Sequence, residues 1–155
     1  MDKRIIFEQL KKEIEKNLEL AIKAAENTYD IATHEENKAE NKYDTRGLEA
    51  SYLAGAQAER VRELRETLGV ISNLKMKPFA DEDKIALTAL IKISSSEKEL
   101  WLLLLPKGGG QSCSFQGQLI QVITPESPLG KGLIGREVED TVQVKDKTYE
   151  IEQIL

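Results

Sequence analysis

The chain has 155 residues, of which 40% are hydrophobic and 32% charged, and its formal net charge is −5. This composition excludes a disordered chain, and an acidic chain makes a poor match for nucleic-acid phosphates, which proteins bind through clustered Lys and Arg. The single cysteine, Cys113, excludes an intrachain disulfide and favours a reducing compartment. The longest apolar run, 100–105, is too short to cross a bilayer and no signal-peptide run is present, so we expect a cytoplasmic protein without a membrane partner.

The first half of the chain predicts two long helices. In both segments apolar residues recur every three or four positions, and good helix formers fill the other faces. Neither stripe can be buried alone, so we expect the helices to pack antiparallel, with Leu10 opposite Leu68 and Ile14 opposite Leu64. The stripes consist of Ile6, Leu10, Ile14, Leu18, Ala21, Ile22 and Ala25 in the first segment and of Leu48, Tyr52, Ala56, Val61, Leu64, Leu68 and Ile71 in the second.

An acidic stretch, residues 29–52, separates the two helical segments and forms the tip of the predicted hairpin. From Asp30 to Glu49 it holds six acids and three bases. A solvated, charged loop would explain this composition. Carboxylates gathered at the end of a rod could instead hold Mg²⁺, which needs few protein carboxylates when a substrate phosphate supplies further oxygens. Composition alone leaves both interpretations open.

The second half of the chain predicts a small β-rich domain. Ser127 and Pro128 predict the N-cap and first position of a short helix that Gly135 ends, with Leu129, Leu133 and Ile134 facing the sheet. A break at 69–78 ends the helical pattern. After it, alternation and short apolar runs predict strands at 85–91, 100–105, 118–124, 141–144 and 148–154.

These elements predict an α+β fold class. We expect an antiparallel coiled-coil hairpin with an acidic tip at 1–75, followed at 76–155 by a small antiparallel β-sheet domain with one short helix. The glycine run KGGGQS lacks the spacing of a P-loop and is interpreted as a connection between strands. His34 is the only histidine, which excludes a multi-histidine metal site.

The segment 124–155 contains a motif whose residues are Ser127, Pro128, Leu129, Leu133, Ile134, Gly135, Arg136, Val138, Asp140, Val142, Tyr149, Glu150 and Ile151. It resembles the C-terminal part of the GreA/GreB transcript-cleavage factors, which carry S-P-[LI]-x-x-A-L-[IL]-G-[KR]-x-V-G-D-x-V and then a strand ending in Y-x-I. Gly132 stands where the family usually has Ala, and Glu139 where it has Gly. The order of a helical hairpin and a β-rich domain is also similar, and the resemblance implies an FKBP-like fold for that domain.

The resemblance implies a divergent accessory factor of bacterial RNA polymerase. The C-terminal domain would dock at the rim of the secondary channel, with Ser127, Pro128, Leu129 and Gly135 as partner-binding residues, while the coiled coil enters the channel. Tip carboxylates would help bind the second Mg²⁺ of the polymerase and promote hydrolysis of backtracked transcripts. Such a factor acts in trans and is no freestanding enzyme. It binds no cofactor stably and meets nucleic acid only through the elongation complex.

The tip is where this sequence departs from the family pattern G-D-L-S-E-N-A-E-Y. Alignment from the first helix places Asp30 on the first acid of the pattern, whereas alignment from the second helix places 40–43 (ENKY) near its end. The two alignments disagree by several residues, which predicts a longer hairpin. The acids expected to act, as catalytic groups in trans and as Mg²⁺ ligands, are Glu36, Glu40 and Asp44.

Three alternatives accompany this prediction. The altered tip favours a non-cleaving regulator or inhibitor that acts at the same channel. The FKBP-like resemblance suggests a prolyl isomerase, although the second half offers few aromatic residues for its pocket. A generic coiled-coil adaptor would have no affinity for RNA polymerase.

Overall fold

The computed structural model describes residues 1–33, 46–80 and 82–155. Contacts divide the chain into two compact units, a mixed unit of Met1–Glu13 with Gly69–Leu155 and a helical unit of Ile14–Leu68. Each long helix contributes to both units, so this division does not test the predicted domains 1–75 and 76–155. The elements are α1 (Lys3–Thr33), α2 (Arg46–Ser72), β1 (Leu90–Ser94), β2 (Glu99–Leu104), β3 (Ser112–Phe115), β4 (Gln118–Ile123), α3 (Pro128–Leu133), β5 (Thr141–Val144) and β6 (Lys147–Ile154).

The helical unit contains most of the two long helices of the predicted hairpin. A concavity of about 310 Å³ is lined by the end of α1 and the beginning of α2, among them Ala25, Tyr29, Ala54 and Ala58. These contacts place the two chain segments nearest the connecting stretch side by side, as an antiparallel hairpin requires. The predicted α+β fold class is confirmed.

The buried face of the hairpin has the spacing of a coiled coil rather than that of the predicted stripe in α2. Tyr52 is 73% exposed, Leu48 is 56% exposed and Ala56 is also exposed, so their predicted burial is wrong. Alternating steps of three and four residues are the coiled-coil pattern, and small or flexible side chains suit a close helix pair. The buried or half-buried residues at this spacing are Ile14, Asn17, Ala21, Ala24 and Thr28 in α1 and Ala54, Gln57, Val61, Leu64 and Leu68 in α2.

The six strands form one sheet in the order β3-β4-β2-β1-β6-β5. The neighbouring strands are antiparallel except β2 and β4, which run parallel. The prediction of an antiparallel sheet therefore holds for four of the five strand pairs. The parallel pair arises because β3, which the sequence did not predict, forms a hairpin with β4 and occupies the sheet edge. After this hairpin, β4 lies beside β2 and runs in the same direction as β2.

Apolar side chains cover both faces of the sheet. On one face Ile91, Leu102 and Ile151 are fully buried with Leu133 of α3. The opposite face includes Cys113, whose Sγ lies 3.7 Å from the backbone oxygen of Ile6 in the first turns of α1. Burial raises the pKa of the Cys113 thiol, which stays protonated and unreactive. Because helices lie over both faces, β2 (ELWLLL) reads as an apolar run, whereas β6 (KTYEIEQI) alternates buried and exposed residues.

The predicted strand 85–91 is wrong over 85–89, since β1 begins only at Leu90. Thr88 has a φ of 76°, a strained backbone for a β-branched residue. Its buried hydroxyl accepts a hydrogen bond from the Lys77 N–H at 3.0 Å, and its own N–H donates to Leu104 O at 2.8 Å. The alternating apolar residues at 85–89 therefore belong to a tight connection that packs into the core, and not to a strand.

None of the helices in the described part of the chain combines the length and apolarity that crossing a membrane needs. The cytoplasmic location stays a prediction.

Candidate functional site

The tip acids Glu36, Glu40 and Asp44 lie outside the described residues, so their role as Mg²⁺ ligands stays a prediction. Asp30, the alternative match to the first acid of the family pattern, lies on α1 and lines the concavity beside α2. Within 1–33, 46–80 and 82–155, no group of three His, Cys, Asp or Glu side chains is placed to hold a metal ion.

The predicted partner-binding segment begins with an N-capped helix. The Ser127 hydroxyl accepts a hydrogen bond from the Gly130 N–H at 3.1 Å and donates one to Thr124 O at 2.7 Å. Pro128 occupies the first helical position, where its missing N–H costs no hydrogen bond. The predicted start of the helix is confirmed. The cap and the proline fix it through hydrogen bonds and backbone geometry within a few residues.

Two glycines inside α3 let the helix approach its neighbours closely. A Cβ on Gly130 would lie 1.9 Å from the backbone oxygen of Thr124, and one on Gly132 would lie 2.3 Å from Cγ2 of Val142 on β5. Gly132 is the position where the resembled family usually has Ala. In this chain an alanine methyl at position 132 would therefore meet Val142. The family pattern has Val at the position of Val142 as well, so this contact does not explain the departure.

The end of α3 is joined to the connection before β1. Gly135 has a φ of +77°, which glycine adopts without strain, and its N–H donates to Ile85 O at 2.9 Å. The Ile85 N–H donates to Arg136 O at 2.8 Å in return. The predicted helix end is confirmed, and these two hydrogen bonds fix its position against residue 85.

The four predicted partner-binding residues differ in exposure. Pro128 and Gly135 are exposed, whereas Ser127 is half-buried and occupied as a cap, and Leu129 is half-buried against the core. Ile134, predicted to face the sheet, is instead 44% exposed. It is the C-cap residue, where the chain leaves the helix and the helical phase no longer applies. The segment thus presents a small, partly apolar surface of the kind that protein partners contact.

Charged side chains flank this surface. Lys84 Nζ lies 3.3 Å from Glu137 Oε1, and the Glu137 N–H donates to Asp140 Oδ2 at 3.0 Å. Exposed ion pairs of this kind contribute little to stability but can orient a charged partner. The arrangement can recognise a protein surface. The binding role of Ser127, Pro128, Leu129 and Gly135 stays a prediction.

Several solved structures align with most of the chain at low similarity. The GreA factor homolog 1 (Gfh1) protein of Thermus thermophilus is 18% identical, with 94% of each chain covered and a TM-score of 0.38. Gfh1 of Thermus aquaticus is 16% identical, with 92% of each chain covered and a TM-score of 0.36. A prokaryotic transcription elongation factor GreA/GreB from Nitrosomonas europaea is 13% identical over 63% of this chain and 90% of its own, with a TM-score of 0.35.

No family model matches the chain, and no curated protein sequence matches it. The resemblance to the GreA/GreB factors is carried by the motif of residues 124–155.

Proposed function

We propose that the protein is an accessory factor that binds the secondary channel of a bacterial RNA polymerase and stimulates cleavage of backtracked transcripts. Glu36, Glu40 and Asp44 then share a Mg²⁺ ion with the polymerase active site. The polymerase supplies the main catalytic residues, so the factor promotes a hydrolysis that it does not perform alone.

One observation carries the proposal: the S-P-L…L-I-G motif and a long two-helix hairpin occur in the same chain. The motif forms an N-capped helix on the sheet, and it presents Pro128, Ile134 and Gly135 to solvent. The hairpin carries its acidic stretch in the sequence between α1 and α2. By the resemblance, the motif helix would dock on the polymerase, and the acidic stretch of the hairpin would act at the polymerase active site.

A non-cleaving regulator of the same channel is the second candidate. The acids of this tip do not have the spacing of the family pattern, and the two ways of aligning the tip disagree by several residues. Such a factor would bind the polymerase at the same place and alter transcription without shortening the RNA.

A cleavage assay on backtracked elongation complexes tests the proposal. The combined variant Glu36→Ala, Glu40→Ala and Asp44→Ala should slow shortening of the RNA 3′ end by about a hundredfold, the upper range for losing groups that position a metal. Added Mg²⁺ should restore part of the rate. Competition for polymerase binding should change little.

A matched control replaces three exposed acids on the shaft of α1: Glu15→Ala, Glu19→Ala and Glu26→Ala. It removes the same charge and should retain cleavage. Wild-type protein that binds the polymerase but shortens no RNA would favour the non-cleaving regulator. Wild-type protein that fails to bind the polymerase would overturn both candidates.

A further inference from the structure

A basic groove lies within the mixed unit, where the first turns of α1 meet the segment after α2. It consists of two concavities of about 350 and 520 Å³ that share Arg4 and Met76. Five cations line it, against two acids, in a chain whose formal net charge is −5. We define the basic groove by Lys3, Arg4, Lys11, Lys75, Met76 and Lys77.

The two acids of the groove are already occupied. Asp2 Oδ1 accepts the N–H of Arg4 at 2.9 Å, and Glu8 Oε1 lies 2.9 Å from Lys11 Nζ. The side chains of Arg4, Lys75 and Lys77 are exposed, and in the part of the chain that the structure describes no carboxylate pairs with them. Three cations of the groove therefore remain available to an incoming anionic group.

The floor of the groove is apolar. Phe7 is 4% exposed, and Leu74 and Met76 are half-buried. Methionine is flexible and polarisable, so Met76 can adapt to the shape of an inserted side chain. The groove thus combines a small apolar floor with a cationic rim.

Hydrogen bonds hold the rim in place before any partner arrives. Lys77 donates its N–H to the hydroxyl of the strained, buried Thr88. Its backbone oxygen accepts from Lys3 Nζ, which also donates to Leu155 O at 2.8 Å and lies 4.6 Å from the centroid of the Phe79 ring. A segment fixed from both sides loses little freedom on binding, which favours affinity. The strain at Thr88 is consistent with a position maintained for function.

We propose that the basic groove binds an acidic peptide segment of a partner protein, with Asp and Glu residues on either side of an apolar anchor. The carboxylates would pair with Arg4, Lys75 and Lys77, and the anchor side chain would lie against Met76. Single-stranded nucleic acid fits less well, because its bases stack on exposed aromatic rings and Phe7 is buried. This surface does not depend on the proposed function.

Fluorescence polarisation with a synthetic probe tests the proposal. The probe is a fluorescein-labelled peptide of alternating Asp and Glu with one central Phe, and its control has Asn and Gln in place of the acids. The acidic probe should bind the full-length protein, the neutral one should not, and added salt should weaken binding steeply.

Charge reversal at the rim gives the specific readout. Arg4→Glu, Lys75→Glu and Lys77→Glu together should weaken binding at least about tenfold, the size expected for three exposed ion pairs. The matched control, Lys12→Glu, Lys98→Glu and Lys145→Glu, makes the same change of charge at other exposed positions and should have a much smaller effect. Met76→Ala should weaken binding of the probe that contains Phe more than binding of a probe that has Gly in place of Phe.

Equal losses of affinity for the acidic probe in the rim and control variants would show that binding responds to net charge alone, and this result would overturn the proposal. Tighter binding of a fluorescein-labelled oligouridine, lost in the rim variant, would also overturn it by assigning the groove to nucleic acid. Circular dichroism of each variant separates these results from unfolding.

Discussion

The mixed unit and the helical unit are stabilised in different ways. In the mixed unit Ile91, Leu102 and Leu104 are fully buried in a sheet with helices on both faces. Among residues 14–30, 48–49 and 51–68 of the helical unit, five are buried: Ile14, Ala21, Val61, Leu64 and Thr67. Its large apolar residues Leu20, Tyr52 and Leu53 are more than half exposed.

This difference indicates a division of stability. Burial of apolar area provides most of the stabilisation of a fold, so the mixed unit should resist opening more strongly than the helical unit. If the tip acts on a partner, the acting region belongs to the less stable unit. The motif for partner binding lies in the more stable one.

Leucine truncations should separate the two units most clearly. Leu102→Ala should lower the free energy of unfolding by about 3–5 kcal/mol, whereas Leu64→Ala should cost about 2 kcal/mol because a two-helix seam can collapse around the lost atoms. Urea denaturation measures both values. Alkylation of the buried Cys113 thiol reports opening of the mixed unit and should accelerate only in Leu102→Ala. Equal acceleration in both variants would mean that the units open together, against the division drawn above.

Glycine substitutions should have opposite effects in the two units. Gly130→Ala should destabilise the protein by about 3 kcal/mol, because its Cβ would meet the Thr124 backbone, which cannot move away cheaply. Gly55→Ala should stabilise it by about 1 kcal/mol, because Gly55 lies inside α2 with nothing within 4 Å of the new Cβ. Thermal unfolding measures the two shifts. A neutral Gly130→Ala would show that the contact between α3 and Thr124 is looser than described.

An alanine at position 132 should be tolerated better in this chain when its neighbour Val142 is made smaller. Gly132→Ala should cost about 2 kcal/mol by overpacking against Val142, whose side chain, unlike a backbone, can partly move. Val142→Ala should reduce that cost, with a coupling energy of about 1 kcal/mol in a double-mutant cycle. Additive effects of the two substitutions would contradict the steric explanation.

Local chemistry explains what the sequence predicted well. The cap at Ser127, the proline at the first helical position and the glycine after α3 act over a few residues, so the helix could be located without knowing the rest of the fold. The break between the predicted strands 141–144 and 148–154 is equally local, and β5 and β6 pair antiparallel around it. The parallel pairing of β2 with β4 depends on where β3 lies in the sheet, which no local pattern reveals.

The basic groove could not be predicted for the same reason. Arg4 and Lys77 are far apart in sequence, and each reads as an ordinary solvated base. Only the packing of α1 beside the segment after α2 makes them neighbours. The tip acids are the opposite case, since their composition was visible in the sequence but their arrangement was not.

The smallest predicted effect tests the phase of the helical unit. The sequence pattern places Tyr52 in the buried stripe of α2, whereas the structure exposes 73% of it and places Ala54 and Gln57 in the seam. Tyr52→Ser should therefore change the free energy of unfolding by no more than about 0.5 kcal/mol, as for other surface substitutions. Val61→Ser, which introduces a hydroxyl at a buried seam position, is the contrasting variant and should cost more than about 1 kcal/mol. A larger loss of unfolding free energy for Tyr52→Ser than for Val61→Ser in urea denaturation would show that Tyr52 lies in the buried seam, as the sequence pattern predicts.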